Sequence, residues 1–267
     1  MLKQRIITGL ILICIVFGSI LWLPSQGFAA LALLIIVGLG SWEWANLTEC
    51  HAKQQRALGA LALMAVAAPL LFIPVPLTLI LWVSVPVWLG ILVALITYAS
   101  HVGLYKHHAK FMRILGIFIL IPAWFALFRL HLMDARYVLY LIGLIALADT
   151  AAYFTGRALG KTKLAPALSP GKTREGFYGA LAATSLWAIF GSWWLALPAG
   201  ISVSFIVLSM FTVCMSVAGD LFESLLKREA GVKDSGSLLP GHGGILDRVD
   251  SMLAAAPIFT LGLFWIL

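Results

Sequence analysis

Charge is what this chain has least of. Only 11% of its 267 residues are Asp, Glu, Lys or Arg, whereas a soluble domain carries about a quarter. With 62% hydrophobic residues and a mean hydropathy of +1.02, a soluble globular domain is excluded. The short alternating segments of a β-barrel are missing too. The composition therefore reads as an all-α, polytopic transmembrane protein. Cysteine is scarce: Cys14, Cys50 and Cys214 form no Cys-x-x-Cys pair and no metal spacing. Lying in or beside apolar runs, they read as buried thiols. There is no repeat of 20–50 residues and no low-complexity tract. Acids number 11 against 18 bases, a net charge of +7. In a membrane protein the source of such an excess is basic cytoplasmic loops, not a nucleic-acid partner.

At about 20 residues per crossing, nine spans are expected, roughly at 6–23, 28–46, 57–73, 77–98, 112–130, 137–156, 177–196, 201–222 and 249–267. Placing the N-terminus in the cytoplasm puts 16 of the 18 basic residues inside and leaves only Arg129 and Arg136 outside. The positive-inside rule favours that orientation and an odd span count. It makes 157–176 and 223–248 the two long cytoplasmic loops. Lys3 and Arg5 before an apolar run imitate a signal peptide, but the many spans that follow favour an uncleaved first span. Residues 1–110 are read as N-terminal transmembrane helices and 111–267 as the catalytic region. Tryptophans are expected mostly at span ends, as interfacial anchors. Glu43, between Trp42 and Trp44, is read as an interfacial carboxylate ahead of a site role. His101, His107 and His108, with lysines and no carboxylate, read as a headgroup-facing basic loop.

Three polar stretches resist such explanations. Asp149, Tyr153 and Arg157 are spaced i, i+4, i+8 at the end of the sixth span, on one helix face. Asp149 then lies roughly 10 Å deep, beneath a basic loop, where charge favours a site role. The stretch from Ser169 through Lys172, Thr173 and Arg174 to Gly176 has the wrong glycine spacing for a Walker A loop. It does offer a Pro-Gly turn, hydroxyls and cations just before a helix start, which suits phosphate; an ordinary basic loop is the equal alternative. The third stretch, 220–250, holds Asp220, Asp234, Asp247 and Asp250 with Lys227, Arg228, Lys233, Arg248 and His242 around the turn Pro240-Gly241-His242-Gly243-Gly244. Asp247, Asp250 and Ser251 share a face at the start of the ninth span. If that end packs on Asp220, the carboxylates converge on a hard divalent cation. The alternative is that Arg248 neutralises one of them.

The third stretch also carries a resemblance. Ser224-x-x-Lys227-Arg228, Lys233-Asp234 and Leu239-Pro240-Gly241-His242-Gly243-Gly244-Ile245-Leu246-Asp247-Arg248-Val249-Asp250 resemble the signature of the bacterial phosphatidate cytidylyltransferases, over 27 residues. The Asp149–Arg157 and Ser169–Gly176 runs resemble that family in the same order. Gly171 departs from it, where many relatives carry lysine, which puts the loop's phosphate contacts in question. The resemblance implies CMP transfer from CTP to phosphatidic acid at the cytoplasmic face of the inner membrane, with Mg²⁺ as cofactor, membrane lipids as partners, and a homodimer. No residue fixes a second, monovalent cation beside the magnesium. By match to the motifs, Asp220 and Asp247 are the expected metal ligands, with Asp250 outside them. Lys172 and Arg174 are expected on substrate phosphates; Lys227, Arg228, Lys233 and Arg248 on the triphosphate or the lipid phosphate. Gly243 and Gly244 would admit phosphate to the backbone. His242 either donates to the leaving group or stabilises the turn. Asp149, Tyr153, Ser169, Thr173 and Ser224 complete the substrate site. A CTP-dependent lipid-alcohol kinase, attacking the γ-phosphorus, is the rival enzyme. A transporter is the rival from another class, without the inverted repeats or mid-bilayer breaks it would show.

Overall fold

In lipid, each backbone N–H and C=O must find a partner within the protein, so long apolar runs fold as helices. The computed structural model of the chain describes residues 2–73, 76–98 and 108–267, the side chains of 2–5 and 77–78 excepted. The charges of Lys3 and Arg5, the connection at 74–75, and His101, Lys106 and His107 therefore lie outside the described residues.

Helix α1 (Leu2–Trp22) is followed by a continuous rod of α2 (Ser25–Ala32), a π-helical turn (Leu33–Leu39) and α3 (Gly40–Leu47). Next come α4 (Lys53–Ala67), α5 (Leu77–Trp82), α6 (Ser84–Thr97), α7 (Ala109–Met133) and α8 (Ala135–Leu159). A two-stranded antiparallel ribbon, β1 (Lys163–Ala165) and β2 (Ser169–Thr173), leads into α9 (Arg174–Trp194), α10 (Ala199–Glu229) and α11 (Leu246–Ile266). Among the described residues seven helices are long and apolar enough to cross a membrane, and Ile6–Trp22 is a shorter apolar helix. The chain is thus an integral membrane protein, all-α but for the ribbon.

The bundle is centred on α7, α10 and α11. Alanines 254–256 are fully buried where α11 packs, as small residues are when helix backbones approach closely in lipid. Gly219 serves the same end: a Cβ there would lie 2.5 Å from the Asp250 carbonyl oxygen. Tyr140 of α8 meets Ser209 of α10 by a 2.7 Å hydroxyl–hydroxyl bond. Buried Thr212 and Thr260 return their hydroxyls to the carbonyls of Leu208 and Ala256, four residues back, which hides a polar group in its own helix.

Several expectations are corrected. Three tryptophans are exceptions to interfacial anchoring: Trp44, Trp88 and Trp124 are core residues. Trp44 and Trp124 donate their indole N–H to the carbonyls of Met112 and Ala29, at 2.9 and 2.8 Å, a partner that lets tryptophan be buried. Cys14 is exposed on α1, while Cys50 is buried. The stretch 157–176 is not a plain loop, because it contains the ribbon. The stretch 223–248 begins as helix: α10 runs on to Glu229. Its 31 residues span about 46 Å at 1.5 Å each, against a hydrocarbon layer of about 30 Å. Ser224, Lys227 and Arg228 therefore ride on a rigid helix end.

Candidate active site

Thr173 caps α9 by accepting the Gly176 N–H at 3.1 Å. Glu175 reaches back to the N–H groups of Lys161 and Thr162, at 3.1 and 3.2 Å. Its own backbone N–H and that of Lys161, then Thr162, hold its carboxyl far below the usual range, at about 2. This collar fixes the ribbon at the mouth of a cavity of about 500 Å³. Asp149 and Tyr153 of α8, Ser169, Lys172 and Thr173 of the ribbon, and Asp220 of α10 all line it. The i, i+4 face on α8 is as expected, with Arg157 Nη1 3.4 Å from the Tyr153 hydroxyl. Lys172 Nζ lies 2.6 Å from Asp220 Oδ2, both side chains about a quarter exposed (26% and 29%). Asp149 feels both charges. Ser224 Oγ reaches Asp220 Oδ1 at 3.5 Å, one turn further along.

A second cluster lies where α10 leaves the bundle and α11 begins. Lys227 Nζ is held between Glu223 Oε2 at 2.5 Å and Asp247 Oδ1 at 2.8 Å. Asp247 Oδ2 accepts from Ser235 N (2.9 Å), Ser235 Oγ (2.9 Å) and Gly244 N (2.8 Å). The turn closes by Leu239 N–H to Gly243 O and His242 N–H to Leu239 O, both 2.9 Å. Gly243 has φ +80°, a conformation other residues resist. A Cβ at Gly243 would also lie 2.7 Å from Asp247 Oδ2. These glycines thus admit the Asp247 carboxylate. The expectation that the Gly244 N–H is free for phosphate is corrected, since Asp247 takes it.

Beneath the turn lies Glu43, 1% exposed. Its Oε2 accepts from Leu246 N at 2.9 Å and from Ser235 Oγ at 3.0 Å, while Oε1 is buried with no hydrogen-bond partner. A Cβ on Gly236 or Gly244 would collide with the Glu43 carboxylate. Glu43 is therefore no interfacial carboxylate. It is the floor of the turn, and the N-terminal helices help to build the site.

The two clusters meet across the α10–α11 crossing, where Asp220 and Asp250 feel each other's charge, as do Asp250 and Glu223. Among the described residues no three His, Cys, Asp or Glu side chains close into a metal-ligating group; Lys172 and Lys227 meet the carboxylate oxygens instead. Several predicted residues stand apart. Arg174, Arg228, Lys233 and Arg248 are exposed. Arg228 Nε lies 3.4 Å from the Leu168 carbonyl, and Arg248 forms none of the described ion pairs with the acids. His242 packs toward Gly9 of α1, with Nδ1 buried and unpartnered. Glu223 and Ser235 are site residues that the hydropathy pattern passes over. The i, i+4 spacing of Glu223 and Lys227 was the available signal, and it needed the helix to continue.

Carboxylates and ammonium groups gathered at one cavity, among helices long and apolar enough to cross a membrane, make this a membrane protein of the class with a charged site between its helices. The comparisons with known proteins give that class a family. Residues 3–266 match the cytidylyltransferase family. The phosphatidate cytidylyltransferase of Pseudomonas aeruginosa is 38% identical, covering 99% of this chain and 97% of its own. That of Haemophilus influenzae is 36% identical over the whole of both chains. That of Bacillus subtilis is 48% identical over 48% of each chain. The chain belongs to the cytidylyltransferase family.

Proposed function

We infer that this chain transfers CMP from CTP to phosphatidic acid, leaving CDP-diacylglycerol in the membrane and releasing pyrophosphate. The observation that carries the reading is chain-long similarity to phosphatidate cytidylyltransferases. The cavity that joins Lys172 to Asp220 and Asp149 supports it. A phosphate oxygen of the lipid attacks the α-phosphorus of CTP; the new O–P bond forms as the bond to the β-phosphate oxygen breaks. The lipid phosphate is already an anion, so a strong general base is not required. The barrier is the approach of two anions, which calls for positioning and charge neutralisation. Lys172, at the cavity wall, exchanges Asp220 for a substrate phosphate. Lys227, beside Asp247, and the exposed Arg228, Lys233 and Arg248 are the further cations offered to the triphosphate or the lipid phosphate. Asp149 and Tyr153 line the same cavity.

Asp220 and Asp247, with Asp250 behind them, would hold a divalent cation, Mg²⁺, whose contribution when bound is to neutralise charge on the α-phosphate and the departing pyrophosphate. The hard oxygen donors fit such an ion, and Lys172, which balances Asp220, would then be free to meet phosphate. The topology follows the charges: α1 and α9 cross as well, giving nine spans with the N-terminus, the ribbon and the turn on the cytoplasmic side. The soluble nucleotide then arrives from the cytosol and the lipid from within the leaflet.

The test supplies purified protein in detergent with phosphatidic acid, Mg²⁺ and CTP labelled at the α-phosphate. Label in the lipid fraction, pyrophosphate in solution and loss of both with EDTA are expected. Release of CDP with label remaining in water would replace the reading with a γ-phosphoryl transfer.

A further inference from the structure

A second cavity, of about 330 Å³, opens between α3, α4 and α7, away from the reaction cavity. Arg56, one turn into α4, and Arg113, one turn into α7, both line it. Arg56 stacks 4.3 Å over the Trp42 ring. It donates Nε to the Trp42 carbonyl and Nη1 to Asn46 Oδ1, each at 3.0 Å. Arg113 donates Nη2 to the Thr48 carbonyl at 2.6 Å, and its Nε is buried without an acceptor. Neither guanidinium forms an ion pair with a carboxylate among the described residues. Glu43 acts on Arg56 only through space, because its carboxylate is turned to Ser235 and Leu246. Ser41 and Gln55 add polar groups to the lining, while Ala60, Leu63, Ile117 and Leu120 give it an apolar stretch.

Two half-buried cations in one cleft, with donors left over and no carboxylate in contact among the described residues, favour an anion. Guanidinium geometry favours a phosphate. The apolar wall below them asks for a ligand whose phosphate continues into hydrocarbon. Both arginines lie near helix starts, which the proposed topology puts at the cytoplasmic headgroup layer. Basic pockets between transmembrane helices at that depth take anionic lipid headgroups. We propose that this cleft holds one anionic glycerophospholipid of the surrounding bilayer, its phosphate on Arg56 and Arg113 and its chains along Leu63, Ile117 and Leu120. The proposal stands apart from the transfer reaction, because none of these residues lines the reaction cavity.

The test is native mass spectrometry of the full chain released from mixed micelles containing phosphatidylglycerol or phosphatidylcholine. Wild type should retain one more phosphatidylglycerol than phosphatidylcholine. Arg56→Gln with Arg113→Gln should lower that retention about tenfold, the loss expected for two charge-assisted phosphate contacts, and leave phosphatidylcholine unchanged. Arg56→Lys with Arg113→Lys should restore part of it. Should the double glutamine variant fail to fold, Leu63→Trp, which fills the apolar wall without touching either cation, must show the same loss. Equal retention of the two lipids by wild type, or full phosphatidylglycerol retention in folded Leu63→Trp or in the double glutamine variant, would overturn the proposal. Displacement of the lipid by soluble glycerol phosphate would overturn it too, since the cleft would then recognise a headgroup alone.

Discussion

The cavity beside the ribbon and the α10–α11 junction use the same residue types in opposite ways. In the cavity, Lys172 and Asp220 make one ion pair, with each side chain about a quarter exposed. At the junction, the side chains of Asp247 and Glu223 are 7% and 3% exposed, and Asp247 collects four partners. An ion pair still open to solvent contributes little stability, about 0–1 kcal/mol, and can exchange its partner for a substrate. A buried carboxylate with four partners cannot lose one cheaply. The cavity is built for turnover and the junction for geometry, and Asp220 and Asp250 are where the two meet.

Substitutions sharpen that contrast. Asp247→Asn should have the largest effect, because it removes a buried ion-pair partner, a change that costs about 3–5 kcal/mol. Turnover should vanish and the thermal unfolding midpoint should fall well below wild type in the same detergent. Asp220→Asn should lower turnover by about 10²–10³-fold, the scale of losing one electrostatic contact to a reacting phosphate. Its unfolding midpoint should stay near wild type. If both variants lose stability equally, the division between cavity and junction fails. Glu43→Ala comes next. It strands the Leu246 N–H and leaves a hole under the turn, a cost of about 1–3 kcal/mol. Amide exchange in 235–247 should quicken while that of the ribbon does not change.

The smallest effect concerns the ribbon. The folded Glu175 carboxyl titrates at about 2, below its ordinary value of 4.5. Its contribution is therefore complete above the ordinary value and is lost as pH falls from there through about 2. Amide exchange at Lys161 and Thr162 should stay slow at neutral pH and rise as the solution is acidified across that window. In Glu175→Gln the same amides should exchange faster at neutral pH, with little dependence on acid.

Much of this was legible beforehand. Charges at span ends marked the helix boundaries, and the α8 face of Asp149, Tyr153 and Arg157 followed from spacing alone. What hydropathy hides is a helix that leaves the bilayer. Past Asp220 the residues turn polar, so the end of α10 looks like a loop, and Glu223 loses the spacing that pairs it with Lys227. The direction of a single carboxylate is hidden as well. Glu43 between two tryptophans looks interfacial until α3 is seen packed under the turn. The glycines of Pro240–Gly244 announced a close approach, and the partners seen are Asp247 and Glu43. Trp124, mid-helix and fully buried, shows that an aromatic residue in a span need not anchor it.

The most direct test of the transfer chemistry is the fate of oxygen. Phosphatidic acid carrying ¹⁸O in its phosphate would be turned over with unlabelled CTP, and the products read by ³¹P isotope shifts. The account predicts ¹⁸O in the bridge to the nucleotide phosphorus of CDP-diacylglycerol, with pyrophosphate free of it. A nucleotide phosphorus without that bridging label would mean that the lipid phosphate is not the nucleophile, and would contradict the mechanism at its first step.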